Sequence, residues 1–227
     1  GFNNAGIDQL LRNISKNYNI PLPFGINIGK NKNTPIDKAI VDYQICLEKI
    51  GTTADYIVVN VSSPNTPDLR KLANNKFVIE LAQLAGSQLK KVWIKLSPDI
   101  ELQGFQSLIA VIQEQGFAGV ILSNTKSVET PFSGGLSGPG LAAAAEQRLI
   151  EAWQVHLGGL PMISVGGIST GRDVLRRMQR GACAVQVYTA LIYQGPWLVV
   201  QMLRELEQML NDMKVKNINE VIGMHHR

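Results

Sequence analysis

The chain has 227 residues, of which 45% are hydrophobic and 18% charged, long for one small domain and short for two. That balance excludes intrinsic disorder, and 21 glycines without a three-residue period exclude collagen. The net charge of +4 is spread over several segments without arginines interleaved by aromatics, so the nucleic-acid signature is missing.

Lys71, Lys76, Lys90 and Lys91 come nearest to a basic patch and read as solvated helix faces. No apolar run approaches the ~20 residues that a membrane-spanning helix needs. Cys46 and Cys183 lie far apart among apolar residues, the usage expected of a reducing compartment. His156, His225 and His226 lack zinc-ligand spacing.

From Gly1 the chain opens in what reads as a loop, and residues 6–17 follow with helical period. An apolar run from Pro23 to Ile28 reads as the first strand. Thr34-Pro35 then opens an amphipathic helix through Ile36, Ala39, Ile40, Tyr43, Leu47 and Ile50, with Thr34 as its cap and Gly51 as its stop. The pattern repeats: strands at Tyr56 to Val61, Val92 to Leu96, Gly119 to Leu122, Pro161 to Val165 and Ala184 to Tyr188. Helices at 75–89, 101–115, 141–157, 171–180 and 196–213 follow them.

Repeated β/α units with Val- and Ile-rich strands predict a parallel sheet covered by helices. A doubly wound open sheet and a closed eightfold barrel both fit that order. The polar residues favour the barrel, because almost every strand ends in a polar or glycine group: Asn27, Asn60 to Ser63, Lys95, Ser123-Asn124, Gly166-Gly167 and Tyr188-Thr189. Six strands stand where such a barrel has eight. The expectation is therefore a single domain over 1–227, an incomplete (β/α)8 TIM barrel whose first two strands precede Gly1.

Three constellations carry candidate chemistry. The run from Ser164 to Thr170 passes from a strand into a helix through Gly166-Gly167, and Tyr188-Thr189 ends the next strand. Glycine backbone and a helix N-terminus at the last two strands suit a phosphate, although a Gly-Gly turn is often structural. Lys95 lies inside an apolar strand. It reads as a strand-end amine reaching solvent, a Schiff-base amine, or a fixed charge that stabilises a reduced, anionic cofactor. Asn60 to Pro67 is a proline-stiffened loop with two asparagines, two serines and a threonine, either a plain turn or, with Asn124, a reader of a planar amide-like substrate. The strand ends offer no His, Cys or strand-borne carboxylate, Asp99 lying just beyond one end, which points to a cofactor for the hard step; with a phosphate site and a buried lysine, flavin mononucleotide fits.

The motifs at 1–4 (Gly-Phe-Asn-Asn), 25–32 (Gly-Ile-Asn-Ile-Gly-Lys-Asn-Lys), 60–67, 134–138 (Gly-Gly-Leu-Ser-Gly), 165–168, 185–189 and 222–227 resemble, in order, those of dihydroorotate dehydrogenase in its quinone-dependent class 2 form. The resemblance implies oxidation of dihydroorotate to orotate in pyrimidine biosynthesis, with FMN as cofactor and a membrane quinone as electron acceptor. It implies Ser63 as the catalytic base where the soluble class 1 form carries Cys, beside a water chain with Thr66 and Phe2 at the matching positions. Substrate contacts are implied for Phe2, Asn60, Asn65, Asn124 and Thr125. Flavin contacts are implied for Asn27, Asn60, Lys95, Ser123, Gly138, Gly167, Tyr188 and Thr189. Family members also carry an Ala-Ala-Gly turn, a substrate-binding lysine and a membrane-docking helical pair ahead of the segment matching Gly1. The implied location is peripheral, on the cytoplasmic side of a bacterial inner membrane or on the mitochondrial inner membrane. Departures are Ser123 where threonine is usual, Lys126 for a usual threonine, Pro139-Gly140 where Arg-Pro is typical, and a shortened stretch between Asn124 and Gly134. Rival readings are a Schiff-base aldolase barrel using Lys95 and a non-catalytic remnant.

Overall fold

A computed structural model describes residues 4–17, 21–66, 68–129 and 134–226. After helix α1 (Ile7–Asn17), strands and helices alternate: β1 (Gly25–Ile28), α2 (Ala39–Ile50), β2 (Tyr56–Asn60), α3 (Asn75–Ala85), β3 (Val92–Leu96), α4 (Leu102–Gln115), β4 (Gly119–Leu122), α5 (Ala142–His156), β5 (Met162–Val165), α6 (Gly171–Gln179), β6 (Ala182–Gln186), α7 (Thr189–Gln194) and α8 (Leu198–Asp212). The six strands form one sheet in chain order, every neighbouring pair parallel. A doubly wound sheet reverses its order at a switch point, whereas a barrel adds each strand beside the last. The observed order is the barrel's, with six of its eight units.

Alternation along the strands separates two faces. Ile26, Ile28, Ile57, Val59, Ile94, Leu96, Val120 and Leu122 point outward into a core with Tyr43, Leu47, Phe77, Leu81, Phe105, Leu108 and Ile112 of the helices. The intervening residues, Asn27, Val58, Asn60, Trp93, Lys95 and Ile121, share the other face. Val58 and Ile121 there are buried yet belong to neither helix-packed cluster. A second core joins Ile168 and α6 to α8 through Val174, Leu175, Met178, Leu198, Met202 and Leu206. Among the described residues β1 and β6 are the sheet's edges, and the segment after β6 exposes Ile192, Tyr193 and Trp197. No described helix is long and apolar enough to cross a membrane.

Local departures from the expected elements have identifiable causes. The segment before α2 starts as a tight 3-10 turn at Ile36–Lys38 after Pro35, and no side chain caps it. The expected Thr34 cap is therefore absent; the Thr34 carbonyl instead accepts a hydrogen bond from the buried Lys30 ammonium at 2.6 Å, together with the Asn31 carbonyl at 2.8 Å. Gly51, at φ 50°, does close α2 through its N–H to the Leu47 carbonyl. The last strand begins two residues earlier than expected and ends at Gln186, so Tyr188 and Thr189 open the short helix α7. Six residues carry too little periodicity to reveal that helix in advance. Of the lysines read as solvated, Lys71 pairs with Asp68, and Lys91 bonds the carbonyls of Gly51 and Ala54. Cys46 and Cys183 are both free thiols.

At the end of α5 the buried His156 accepts the N–H groups of Gly158 and Leu160 at Nδ1, 3.0 and 3.3 Å away, and its Nε2 faces the Met162 sulfur. Two backbone donors on Nδ1 fix the neutral tautomer, and burial pushes the imidazole pKa down to about 4. An unfolded chain takes up this proton below about 6.5 and the native chain does not, so the stabilisation is complete above 6.5 and is lost as pH falls towards 4. Urea unfolding across that window should show a loss of about 2–3 kcal/mol in the wild type. His156→Gln keeps an acceptor and should flatten the slope; an unchanged slope would assign the titration elsewhere.

Candidate active site

The loop after β2 turns so that successive serines face opposite ways. Ser62 is wholly buried and Ser63 half-buried. Asn60 Oδ1 accepts both the Ser62 N–H at 3.0 Å and the Ser62 hydroxyl at 2.7 Å. Asn124 Oδ1 accepts the Thr125 N–H at 2.8 Å, and Asn124 Nδ2 donates to the Ser62 hydroxyl at 2.8 Å. Two backbone N–H groups, which can only donate, thereby orient every group in the chain from Asn124 through Ser62 to Asn60. The Asn60 amide is left with its Nδ2 donors turned away from Ser62. Ser63 has a lighter tether, its hydroxyl accepting the Asn65 N–H at 3.3 Å.

Arg70 ties three loops of this end of the sheet together. Its Nε donates to the Ser62 carbonyl at 3.0 Å, and Nη2 donates to the Thr125 carbonyl at 3.1 Å. Nη1 reaches Asp99 at 2.5 Å and the Ser127 hydroxyl at 2.7 Å, while the Ser127 N–H also bonds Asp99 at 2.8 Å. The guanidinium fork thus spans the loops after β2, β3 and β4.

Register sets Lys95 beside Asn60 on one side and Ile121 on the other. Desolvation by burial lowers the Lys95 pKa. Its ammonium has no hydrogen bond or ion pair among the described residues. The Ser123 hydroxyl, just past β4, is fully buried and also lacks a partner. A buried hydroxyl of the Ser123 kind, costly to leave unsatisfied, marks a place where a ligand completes the structure.

After β5, Gly166 and Gly167 adopt φ 119° and 69°. A side chain on Gly167 would meet Ala142 at 2.5 Å, so the close approach of this turn to the start of α5 requires glycine. At the expected helix N-terminus several donors already have acceptors within the protein. Asp173 accepts the N–H and hydroxyl groups of both Ser169 and Thr170, and Glu205 accepts the Gly171 N–H at 2.7 Å. The protein's own carboxylates occupy the positive end of α6. Nearby, Gly138 at φ 69° lies against Thr189, whose hydroxyl donates to Ser137 at 3.1 Å.

Of the residues singled out in the sequence, Asn60, Ser63, Asn65, Asn124 and Thr125 gather around Ser62 and Arg70. Asn27, Lys95 and Ser123 lie on or beside the inner sheet face, and Gly138 adjoins Thr189. Tyr188 is exposed at the start of α7. Phe2 lies outside the described residues. Sequence reasoning gave no role to Ser62, Arg70, Asp99 or Ser137, although Asp99 was visible beyond a strand end; the paired serines held a local signal, since alternation past a buried strand turns one of them inward. A cavity of about 670 Å³ is lined by Asn31, Lys32, Thr34 and Asp42 among others and includes none of these residues.

A six-stranded, sequentially ordered β/α half-barrel with polar groups gathered at its strand ends is the framework of a TIM-barrel protein that works from that face. The family model described as dihydroorotate dehydrogenase matches residues 1–210, and the chain belongs to that family. The dihydroorotate dehydrogenase (quinone) of Myxococcus xanthus is 38% identical over all of this chain and 66% of its own length. The mitochondrial dihydroorotate dehydrogenase (quinone) of Mus musculus is 40% identical over 91% of this chain and 56% of its own. A crystal structure of the Eimeria tenella protein in complex with ferulenol matches all of this chain and 70% of that one, with a TM-score of 0.89 at 30% identity. The chain thus spans 64–66% of the length of the bacterial relatives from Myxococcus, Nautilia and Trichodesmium.

Proposed function

We propose that the chain carries the FMN- and substrate-binding face of a quinone-dependent dihydroorotate dehydrogenase, oxidising (S)-dihydroorotate to orotate in pyrimidine biosynthesis. The observation that carries this reading is the buried Ser123 hydroxyl, without a partner among the described residues, and the desolvated Lys95 ammonium, beside the Asn60–Ser62–Asn124 network within the family's own motifs. FMN fits these residues. Gly138, Gly167, Tyr188 and Thr189 would hold its phosphate end, Asn27, Asn60 and Ser123 would hold its ring, and Lys95 would supply a positive charge that stabilises the reduced, anionic form. The chemistry that FMN would supply there is acceptance of the hydride lost from C6 of the substrate and delivery of the electrons to a membrane quinone.

Asn60, Asn65, Asn124 and Thr125 read the amide-like edges of dihydroorotate, with Asn60 offering the donors that its bonds to Ser62 leave free. Ser63 removes the C5 proton as the C5–C6 double bond forms. A serine hydroxyl is a weak base, so water held near Thr66 carries the proton onward. In its complete setting the protein works peripherally at the cytoplasmic side of a bacterial inner membrane, or at the mitochondrial inner membrane. The Schiff-base reading of Lys95 belongs to a different enzyme family.

Flavin absorbance of the full-length protein, followed anaerobically, tests this directly. Dihydroorotate should bleach the flavin band and a quinone should restore it. A flavin that stays oxidised under excess dihydroorotate would refute the reading, as would borohydride trapping of a carbonyl substrate on Lys95.

A further inference from the structure

Arg177 has none of its surface exposed, yet no carboxylate bonds it. Its Nη2 donates to the carbonyls of Ala142 at 2.8 Å and Gly166 at 3.0 Å, and Nη1 donates to the Ser164 hydroxyl at 3.1 Å. Its Nε is buried without an acceptor. The two nearby carboxylates are engaged elsewhere. Glu146 pairs with Arg176 at 3.2 Å and Arg180 at 3.4 Å, and Asp173 caps α6 and approaches Arg176 at 3.9 Å. Three arginines therefore share two carboxylates, which leaves this corner with one uncompensated positive charge. Burial lowers the Arg177 pKa only to about 10, so it is charged at neutral pH. A buried cation without a counter-charge is costly, and the cost falls if an anion binds within reach.

The geometry locates that anion. In a trans peptide the C=O and the following N–H point in opposite directions. Arg177 draws the Gly166 carbonyl inward, so the Gly167 N–H faces away from it. Among the described residues that N–H has no acceptor.

We propose that Arg177 is a positioning residue for the flavin's phosphate: from behind the Gly166–Gly167 turn it aims the Gly167 N–H outward and supplies the balancing positive charge, without touching the phosphate. The inference rests on the FMN reading above. It also explains how an anion is held here although carboxylates occupy the N-terminus of α6.

Riboflavin shares the ring of FMN but lacks the phosphate, so the ratio of the two affinities isolates this role. Flavin fluorescence titrations of the full-length apoprotein should show that Arg177→Met weakens FMN binding by about tenfold or more while riboflavin changes less than about threefold. Arg177→Lys, which keeps the charge but not the fork that holds the Gly166 carbonyl, should bind FMN between wild type and Arg177→Met, again with riboflavin changed less than about threefold. Equal weakening of both flavins by Arg177→Met would reduce Arg177 to a structural part and overturn the proposal, as would an unchanged FMN affinity. Should Arg177→Met fail to fold, Glu146→Gln provides a second test, since removing a nearby negative charge should raise the FMN-to-riboflavin affinity ratio by about threefold. An unchanged ratio there would count equally against it. A wild-type protein that binds riboflavin but gains nothing from the phosphate overturns the role of Arg177 alone. One that binds neither flavin overturns the FMN reading and this inference together.

Discussion

Replacing Ser63 with alanine is expected to slow flavin reduction by dihydroorotate by about 10²- to 10⁴-fold, the usual contribution of a positioned general base, while FMN stays bound. Ser63 does little else in the fold, so the effect is specific. Its hydroxyl accepts one hydrogen bond, the 3.3 Å contact from the Asn65 N–H, and takes no part in the Asn60–Ser62–Asn124 chain. Thermal stability should therefore change by less than about 1 kcal/mol, within the range for one weak, partly exposed bond. Anaerobic stopped-flow absorbance checks the rate, and calorimetry checks the fold. Ser63→Cys should recover part of the rate with increasing pH as the thiol approaches its ordinary pKa of about 8.5. Wild-type turnover in Ser63→Ala would remove Ser63 from the mechanism. Ser62→Ala should behave in the opposite way, since it removes the hydroxyl that joins two asparagines.

The second large effect is expected at Arg70. Arg70→Ala removes donors to the Ser62 and Thr125 carbonyls, to Ser127 and to Asp99, and leaves that carboxylate without its cation. The Arg70 and Asp99 side chains retain only 24% and 23% of their exposure, so the pair lies between a solvated surface bridge and a buried one. Destabilisation of about 2–3 kcal/mol follows, below the figure for a fully buried pair because water still reaches it. The functional loss should exceed that, because Ser63, Asn65 and Thr125 are carried by the loops that Arg70 joins. Arg70→Lys should rescue little, as one ammonium cannot reproduce a planar fork with several donors. Urea unfolding measures the first effect and the KM for dihydroorotate the second. A stability change under about 0.5 kcal/mol would mean that the three loops hold their places without the clamp.

At the turn after β5, only part of the expected anion site is already occupied by the protein itself. From Ser164 to Thr170 the sequence reads as a glycine turn feeding a helix N-terminus, a frequent phosphate site. The same residues also form a capping box, and Asp173 satisfies the N–H groups of Ser169 and Thr170 before any ligand can. The competition was visible as Thr170 followed three residues later by Asp173, but only the fold shows that Glu205, 34 residues further on, accepts the Gly171 N–H. Arg177 was equally hidden, as one arginine among several on α6.

The strands were readable because a buried parallel strand is a local property: a short run of Val, Ile and Leu is enough to specify Tyr56–Asn60 or Val92–Leu96. The polar residue ending each run is likewise local, so the sequence alone placed Asn60, Lys95, Ser123 and Thr189 at one end of a parallel sheet. Contacts between side chains distant in the chain were decided only by the tertiary structure. Ser62 meets Asn124 across 62 positions, and Arg70 meets Thr125 across 55. Such pairings depend on strand register and on which way the chain turns after each strand, and neither is encoded in a residue's near neighbours. That is why the sequence could name a serine-rich loop, while only the fold could separate the serine that holds the site together from the one left facing it.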